Sequence, residues 1–377
     1  MVIGITCYPA AGGSGIVATE LGQQLAARGH QVHFVSYAMP FRLDKYHANI
    51  QYHGVETTAY PLFKYPPYTL TLAARMAEVA RTHGLDIMHV HYAIPHAACA
   101  FLAKQLLLEH GNGSQPKIIT TLHGTDITLV GSDPSFFDIT RFSIMSSDGV
   151  TAVSSYLANE TKEVFGIERE IRVVHNFFDQ KRFRPGGTEC CKQEFVRDGE
   201  FLIMHVSNFR PVKRTMDVID IFEKISAALP ARLILIGEGP ETILARRQVK
   251  KRGLGERVMF LGSQSRVEAV LPCADLFLIP SEEESFGLSA LEALACGVPV
   301  IGTSGTGLVE VVEDFRSGFL LPVGDTSSMA RAAISLLKDT SRLAEFKSYA
   351  AQSALDRFSD ERMVGEYERY YEEVLGG

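Results

Sequence analysis

Two adjoining stretches, Leu276-Phe-Leu-Ile-Pro280 and Glu284-Ser-Phe-Gly-Leu-Ser-Ala-Leu-Glu292, indicate how this chain folds. The first is an apolar, strand-like run, and Gly287 stands where a helix would begin. The pattern therefore predicts a strand, a turn and a helix. Glu284 would lie in the turn, before the free N–H groups of the helix N-terminus, and Glu292 about two turns along the helix.

Such a turn suits a nucleotide sugar, because helix N–H groups attract phosphate and carboxylates accept hydrogen bonds from sugar hydroxyls. In the alternative interpretation, Glu282, Glu283 and Glu284 only complement the helix dipole, and Glu292 is a solvated residue on one helix face. This stretch alone does not decide between the two.

Length and composition indicate a globular protein of two domains, since 377 residues exceed one common domain. The net charge of -7 gives no electrostatic basis for binding nucleic acid or an anionic membrane. No apolar run approaches the length of a membrane span, and the chain starts directly with a strand, so we expect a cytoplasmic protein. The sequence is compatible with a homo-oligomer and does not specify the number of subunits.

The six cysteines show no C-x-x-C spacing, which favours reduced thiols. Cys190 and Cys191 are adjacent, and we interpret them as a chance pair on a surface segment, with a redox role left open.

Strands alternate with helices along the chain, which predicts an α/β protein with parallel sheets covered on both faces. In the first half, strands are predicted at 2–7, 31–36, 50–56, 87–91, 117–123, 149–154 and 171–176, and helices at 16–28, 69–82, 95–109 and 155–165. In the second half, strands are predicted at 201–208, 232–237, 258–262, 276–280, 298–303 and 318–323, and helices at 213–228 and 241–252. A helical tail follows from 327 to 375, with breaks near Asp339 and Ser359.

The repeat of this pattern predicts two doubly wound, Rossmann-like domains that face each other across a cleft, at 1–176 and 177–357. The last segment, 358–377, is predicted to be a helix that packs back on the first domain. Ligands of such sheets bind at the carboxyl ends of the strands.

The glycine-rich loop Gly12-Gly-Ser-Gly15 is not a dinucleotide fingerprint, because it lacks the G-x-G-x-x-G spacing. The second strand also lacks the terminal acid that would bind a ribose. We interpret the loop as a close approach of backbone to ligand, although a plain tight turn is also consistent with it.

Histidines follow two of the predicted strands. His89 and His91 share one strand face, but no acid accompanies them, so we do not predict a metal site there. Tyr92 is the better candidate for a ligand contact. His123 ends the next strand, where it could contact a sugar or serve only a structural role.

Two cations, Arg210 and Lys213, flank the predicted start of a helix, where the dipole disfavours positive charge unless an anion binds. This placement favours a diphosphate site. No loop carries a D-x-D pair that would hold Mg²⁺, so the cations would neutralise the leaving diphosphate themselves.

Taken together, these motifs resemble the family 4 retaining glycosyltransferases of GT-B architecture, and the resemblance spans nearly the whole chain. It rests on the Glu284 to Glu292 signature and its continuation to Gly302, the Gly12-Gly13 loop, His123-Gly124 and Lys213. Further motifs are similar to the members of this family that move N-acetylglucosamine from UDP onto L-malate in bacillithiol biosynthesis. They include Thr6-Cys-Tyr-Pro, Pro40-Phe-Arg-Leu43, Tyr65-Pro-Pro-Tyr68, His91 to His96, Thr121 to Thr128 and Ser207-Asn-Phe-Arg210.

The resemblance implies a role for each matching residue. Catalysis would involve His123, Lys213 and Glu284. The residues implied for the nucleotide sugar are Gly13, Asn208, Arg210, Lys213, Glu284, Phe286, Gly287, Leu288 and Glu292. The residues implied for the malate acceptor are Ser14, Tyr92, Thr121 and Arg210. The reaction would retain the anomeric configuration and need no cofactor and no metal.

Two positions depart from the wider family. Asn208 stands where most members carry an arginine, so one phosphate cation is lost. The usual Gly-Gly-x-Pro-Glu becomes Gly305-Thr-Gly-Leu-Val-Glu310, without the proline. Other acceptors of the same family, such as an inositol phosphate or a lipid, remain alternatives, as do a GT-B-fold UDP-sugar epimerase and a non-catalytic nucleotide-sugar binder.

Overall fold

The protein is described here by a computed structural model that covers residues 1–10, 12–43, 47–57, 64–109, 115–128, 130–131, 133–186 and 192–377. The chain divides into two compact units. The first contains Met1–Asn176 together with Glu361–Gly377, and the second contains Phe177–Asp360. Cys190 and Cys191 lie outside the described residues.

Each unit is built on one parallel sheet. The described strands of the first unit are β1 (Val2–Thr6), β2 (Gln31–Ser36), β3 (Ile50–Gly54), β4 (Ile87–His91), β5 (Lys117–Leu122), β6 (Gly149–Ala152) and β7 (Arg172–Val173), in the spatial order β3-β2-β1-β4-β5-β6-β7. Those of the second unit are β8 (Phe201–Val206), β9 (Ala231–Ile236), β10 (Val258–Gly262), β11 (Leu276–Ile279), β12 (Val300–Thr303) and β13 (Gly318–Leu321), in the order β10-β9-β8-β11-β12-β13. Both orders reverse beside the first strand, as in doubly wound folds.

Helices connect the strands and cover the sheets. The α-helices up to the middle of the chain are α1 (Gly13–Ala27), α2 (Tyr68–His83), α3 (Ala98–Glu109), α4 (Thr125–Thr128), α5 (Phe137–Met145) and α6 (Ser155–Phe165). Those that follow are α7 (Thr215–Ala228), α8 (Thr242–Lys251), α9 (Leu288–Ala295), α10 (Thr326–Lys338), α11 (Thr340–Phe358) and α12 (Asp360–Gly376). No helix among the described residues is long and apolar enough to cross a membrane.

The packing of the sheets explains the apolar strands found in the sequence. All five residues of β4 are buried, as expected for a central strand covered on both faces. In the second unit, α7 and α10 share one apolar core with β8 and β9. Helix α1 lies so close to β2 that a Cβ on Gly22 would come within 2.4 Å of the Phe34 ring. Glycine is therefore needed at position 22 for close packing.

The α/β class and the two parallel sheets confirm the prediction from the sequence. The expected breaks in the carboxy-terminal tail are also present, because Asp339 caps α11 through its side chain and Ser359 separates α11 from α12. Two helices, the four-residue α4 and the longer α5, are not predicted. The buried residues of α5 include Thr140 and Ser143, whereas Phe142 and Met145 are exposed, so its apolar periodicity does not mark a core-facing stripe.

The expected helix at Lys213 begins later than predicted. Pro211–Lys213 form a single 3-10 turn, and α7 starts at Thr215. Arg214 separates the two with a φ of +50°, a left-handed conformation that interrupts helical geometry. Lys213 therefore belongs to a turn and not to the first turn of a long helix.

Helix α12 is tied to the first unit by polar contacts. The Tyr371 hydroxyl lies 2.6 Å from His89 Nδ1 inside the core, and the backbone N–H of Val150 donates to the Tyr370 hydroxyl at 2.9 Å. At the surface, Arg28 pairs with Glu368 at 2.6 Å. These contacts fasten the end of the chain to strands that lie far away in the sequence.

The cysteines do not all match the expectation from the sequence. Cys7, Cys99 and Cys296 are free and buried, and burial raises the pKa of Cys7 and Cys99 to about 12, so these thiols stay protonated. Cys273 takes part in a disulfide bond. The prediction of reduced thiols is therefore wrong for Cys273.

We predict that Tyr371→Phe destabilises the first unit, because the change leaves a buried nitrogen of His89 without its partner. A lost buried hydrogen bond costs about 1–3 kcal/mol, which for a unit of this size lowers the Tm by about 2–10 °C. Differential scanning calorimetry measures the shift. Tyr65→Phe is the matched control, because Tyr65 is 74% exposed and should tolerate the loss of its hydroxyl. Equal Tm values for the two variants would contradict the proposed contribution of the Tyr371 hydroxyl.

Candidate active site

Three of the predicted site residues in the first unit meet at one edge of the sheet. Tyr92 directly follows β4, His123 directly follows β5, and Ser14 lies in the first turn of α1, which follows β1. The Ser14 hydroxyl lies 3.1 Å from the Tyr92 hydroxyl, and the rings of Tyr92 and His123 are 5.4 Å apart. Neighbouring parallel strands thus gather these side chains at their carboxyl ends, where ligands of such sheets bind.

The backbone around Tyr92 is held in an unusual conformation. Its φ is +90°, a region that favours glycine and that a tyrosine adopts only when its surroundings enforce it. Edge-on contact with the Tyr8 ring, at 5.3 Å between centroids, fixes the side chain from the other side. Strain at the end of β4, next to His123 at the end of the neighbouring strand β5, supports a functional role for Tyr92.

The glycine loop between β1 and α1 leaves a helix N-terminus open. Helix α1 starts at Gly13, and no side chain among the described residues caps it. A Cβ on Gly15 would lie 2.5 Å from the Tyr8 carbonyl oxygen, so the turn can form only with glycine there. Gly13 is exposed, which leaves its backbone N–H accessible to an anion.

His123 is a neutral imidazole in this site. Burial, reinforced by His96, lowers the pKa of His123 to about 3. Its Nε2 lies 2.8 Å from Nδ1 of His91, whose pKa is also lowered well below the usual value, mainly by burial. Since both rings are neutral, one of them must donate the shared proton. His123 can therefore act as a hydrogen-bond partner for a ligand but not as a cation near pH 7.

His89, the other histidine of the predicted strand, makes its hydrogen bonds inside the core. His89 lies 2.7 Å from the Thr121 hydroxyl through Nε2, and its Nδ1 faces Tyr371 as described above. Thr121 is fully buried, and its hydroxyl also lies 2.7 Å from that of Thr151. Thr121 is thus fully buried, and its hydroxyl is already bonded within the protein. The side chains of Ser14 and Tyr92 are only half-buried and so are more accessible to a ligand.

Asp126 organises this edge, although the sequence analysis does not single it out. Its carboxylate accepts hydrogen bonds from the backbone N–H groups of His123 and Gly124 at 3.2 and 3.0 Å, and from Ala93 at 3.0 Å. Burial raises the pKa of Asp126 to about 6, while these bonds oppose the rise. These bonds run to residues that precede Asp126, the reverse of an Asx turn, so the local sequence carries no turn signal for this residue.

In the second unit, Lys213 and Glu284 form an ion pair, with Nζ 2.6 Å from Oε1. Ser281 also donates its hydroxyl to Glu284 Oε1 at 2.8 Å. Glu284 is only 8% exposed, so the lysine charge is what makes the buried carboxylate stable. The sequence predicts an anionic ligand as the partner of Lys213, and the structure instead provides Glu284.

Beyond Glu284, the turn has the geometry expected from the sequence. Gly287 precedes α9 with a φ of +96°, and a Cβ there would lie 2.7 Å from Leu308. No side chain among the described residues caps α9. Phe286 is buried and contacts Phe358 edge-on at 5.5 Å between ring centroids. The N–H groups of the first turn of α9, including that of Leu288, are thus oriented for an anion.

Glu292 lies closer to the turn than predicted. It is the fifth residue of α9, about 6 Å along the axis from Leu288 and so just over one turn, not two. Glu292 is only 5% exposed, so the alternative interpretation of a solvated residue is wrong. Two nearly buried carboxylates, Glu284 and Glu292, therefore flank the start of one helix.

Arg210 and Asn208 lie on the loop that follows β8. Phe209, between them, has a φ of +39°, and Asn208 is exposed. A Cβ on Gly239 would lie 1.8 Å from the Asn208 carbonyl oxygen, so the backbone of this loop packs directly against the backbone at Gly239. Within the described part of the chain, the half-buried Arg210 guanidinium has no ion-pair partner, which leaves it available for an anion.

Two family models match the chain. The Glycosyltransferase Family 4 model covers residues 11–182, and the Glycosyl transferases group 1 model covers residues 189–353. The chain is 49% identical over 374 residues to the N-acetyl-alpha-D-glucosaminyl L-malate synthase of Bacillus anthracis, spanning 99% of this chain and 97% of that protein. It is 26% identical to the D-inositol 3-phosphate glycosyltransferase 2 of Catenulispora acidiphila, over 91% and 86% of the two chains.

Solved structures share the fold. Anabaena Alr3699/HepE, solved with UDP and glucose, superimposes with a TM-score of 0.83 at 19% identity, over 98% of both chains. WaaG, a glycosyltransferase involved in lipopolysaccharide biosynthesis, superimposes with a TM-score of 0.75 at 14% identity over both complete chains. The GT-B architecture expected from the sequence is thereby confirmed. With full-length similarity at 49% identity, this chain belongs to the glycosyltransferases that combine a family 4 amino-terminal region with a group 1 carboxy-terminal region.

Proposed function

We propose that this glycosyltransferase moves N-acetylglucosamine from UDP-N-acetylglucosamine to the hydroxyl of L-malate, with retention of the anomeric configuration. The assignment of a nucleotide-sugar donor rests on the Lys213–Glu284 ion pair, which lies near the start of α9, where Gly287 provides no capping side chain. The acceptor half is supported by the full-length relative from Bacillus anthracis, at 49% identity. In this proposal residues 1–176 bind the acceptor and residues 177–357 bind the nucleotide sugar.

The donor would be held by the second unit through charge and hydroxyl recognition. Glu292 would bind the uridine ribose and Glu284 the hydroxyls of the donor sugar, since carboxylates accept such hydrogen bonds. The diphosphate would contact Lys213, Arg210 and the N–H groups of Gly287 and its neighbour Leu288. Phe286, which is buried, would hold the turn in place, and Asn208 would lie beside the diphosphate. Because Lys213 already neutralises Glu284, the site stays stable before the donor arrives.

The acceptor would be held mainly by polar groups of the first unit. The hydroxyls of Ser14 and Tyr92, 3.1 Å apart, form a pair that can donate to a carboxylate of malate. The Arg210 guanidinium would bind the other carboxylate, because its planar fork matches that group. Thr121, whose hydroxyl is bonded to His89 and Thr151, would support the neighbouring side chains instead of contacting malate directly.

The carboxylates assigned to the donor, Glu284 and Glu292, are used for hydroxyl recognition, and Glu284 is also paired with Lys213. Because we assign no nucleophile to the β face of the sugar, we propose front-face attack. The malate hydroxyl oxygen would bond to C1 of the sugar while the bond from C1 to the phosphate oxygen breaks. The hydroxyl proton would pass to the departing phosphate. Lys213, Arg210 and the start of α9 would stabilise the charge that develops on UDP, and neutral His123 would hydrogen-bond the donor sugar. Gly13 would add a backbone N–H to the diphosphate. This chemistry needs no metal ion.

The first prediction concerns the substrates. Purified protein incubated with UDP-N-acetylglucosamine and L-malate should release UDP and form an α-linked N-acetylglucosaminyl-malate, with or without EDTA. UDP can be followed by a coupled assay and the anomer by NMR.

UDP release that does not depend on malate would contradict the proposed acceptor. Transfer to inositol phosphate or a lipid instead would show that the chain is a family member with another acceptor. Conversion of the UDP-sugar without a glycoside product would indicate an epimerase, and binding without turnover a non-catalytic protein.

The second prediction tests the carboxylate of the turn. Glu284→Gln keeps the shape of the side chain but loses the charge that pairs with Lys213, so kcat/KM should fall by about 100-fold. Glu282→Gln removes the same charge two residues earlier from an exposed side chain and is the matched control. Steady-state kinetics at saturating malate compare the two. Equal kinetics would remove Glu284 from the donor site.

The third prediction separates acceptor binding from general charge effects. Arg210→Ala should raise the KM for malate about 10- to 100-fold, because a hydrogen-bonded charge pair is lost. Arg247→Ala removes an exposed cation from α8 of the same unit and should leave that KM unchanged. If Arg210→Ala changed only the KM for the UDP-sugar, Arg210 would belong to the donor alone.

A further inference from the structure

Three histidines of the first unit lie together at the edge of its sheet. His33 is on β2, His53 is on the edge strand β3, and His83 is the last residue of α2. Each offers a ring nitrogen, and these three nitrogens lie within 4.8 Å of one another. We call these three residues the histidine cluster. Within the part of the chain that the structure describes, it is the one group of three potential metal ligands that converge in this way.

The register of the sheet brings these residues together. Val35 is paired with His53 across β2 and β3, and side chains two apart on a strand share a face, so His33 and His53 lie on the same face as Val35. Helix α2 packs on that face, with Met76 in the same core as Val35. His83, in the last turn of α2, therefore lies next to the rings of His33 and His53.

The arrangement gathers more acceptor nitrogens than the described part of the chain provides with hydrogen-bond donors. The ring centroids are 4.3 to 5.2 Å apart, and one hydrogen bond, from His33 Nδ1 to His53 Nε2 or the reverse, spans 2.9 Å. Each neutral imidazole carries one nitrogen lone pair, so three rings bring three lone pairs and one internal bond satisfies only one of them. Among the described residues, no side-chain hydrogen bond engages the ring of His83.

Burial favours the neutral form of His33 and His53, and the neutral imidazole is the form that ligates metals. Burial, with His83 and His53 adding to it, lowers the pKa of His33 to about 4, and burial likewise lowers the pKa of His53. The charged residues that act on His53 are Arg75 and Glu78 of α2, which pair with each other at 2.7 Å. The charges of these two side chains offset each other at His53, and Arg81 of the same helix acts on Glu78.

We propose that the histidine cluster binds a late first-row divalent cation, for which Zn²⁺ is the probe, through one nitrogen from each ring. Three imidazoles and an open fourth position are a known zinc ligand set, and such sites prefer nitrogen donors over oxygen. Zinc–nitrogen bonds of about 2.0–2.1 Å place tetrahedral ligand atoms about 3.3 Å apart, so small side-chain rotations complete the site. His33 is 3% exposed while the other two are half-buried, which leaves the fourth position to water.

This site is separate from the proposed chemistry. Tyr92 and His123 follow the carboxyl ends of their strands, whereas His83 ends the helix that leads into the start of β4. The metal would clamp the edge strand β3 to β2 and α2. Its role is therefore stability, and the proposal stands or falls independently of the substrate assignment.

The test is metal binding by the full-length protein prepared without a polyhistidine tag and freed of metal with EDTA. We expect one equivalent of Zn²⁺ per chain in competition with a chromophoric chelator, a rise in Tm on binding, and visible Co²⁺ absorption bands typical of four-coordinate sites. His83→Gln should weaken Zn²⁺ binding at least about 100-fold and abolish the Co²⁺ bands, since losing a direct ligand exceeds the usual cost of an outer-shell change. His47→Gln, outside the cluster, is the matched control and should bind like the parent protein.

Two further measurements keep the test decisive. The Tm of metal-free His83→Gln shows whether the variant folds. In the unaltered protein, histidine hydrogen–deuterium exchange followed by mass spectrometry should slow at His33, His53 and His83 when Zn²⁺ is added. No stoichiometric binding, equal affinity in His83→Gln, or slowed exchange at other histidines only would each overturn the proposal and show that these rings serve packing alone.

Discussion

The candidate donor site depends on one buried ion pair. A carboxylate as enclosed as Glu284, at 8% exposure, would lose several kcal/mol of hydration if it had no partner. Lys213 and Ser281 both reach its Oε1 atom, and Gly307 donates its backbone N–H to the Glu284 carbonyl oxygen at 2.7 Å. The carboxylate and the backbone carbonyl of Glu284 are therefore both held in place by hydrogen bonds. The residue before α9, Gly287, has no side chain that could cap the helix, so the first N–H groups of α9 can bind a phosphate.

The first unit solves a different problem, because its edge carries buried neutral histidines beside the carboxylate of Asp126, which accepts three backbone N–H groups. Its histidines stay neutral, with the pKa of His89 lowered to about 3 and that of His96 to about 4 by burial. Neutral rings neither attract nor repel an anion by charge, so these histidines offer a ligand directional hydrogen bonds. The candidate site of the second unit differs, because it contains the cations Lys213 and Arg210.

The sequence predicts features that depend on local chemistry and misses those that depend on contacts between distant segments. The turn at Gly287 is predictable because a helix start and two carboxylates lie within nine residues, and its φ of +96° explains the glycine. Helix α5 escapes prediction because its buried side chains include small, polar ones. The bonding of Thr121 is also hidden, since His89 lies 32 residues away and only strand pairing joins them. Lys213 is recognisable as a phosphate cation, but its partner, 71 residues later, is not.

The histidine cluster is likewise not predictable from the sequence, because it depends on contacts between distant segments. His33, His53 and His83 are far apart in the sequence, with no metal-binding motif among them, and only the parallel register of β2 and β3 places the first two on one face. A shift of that register by one residue would turn His53 to the other face of the sheet. The cluster therefore depends on the whole arrangement of β2, β3 and α2. A metal bound there would in turn favour that register over all others, because no slipped pairing could supply the three ligands together.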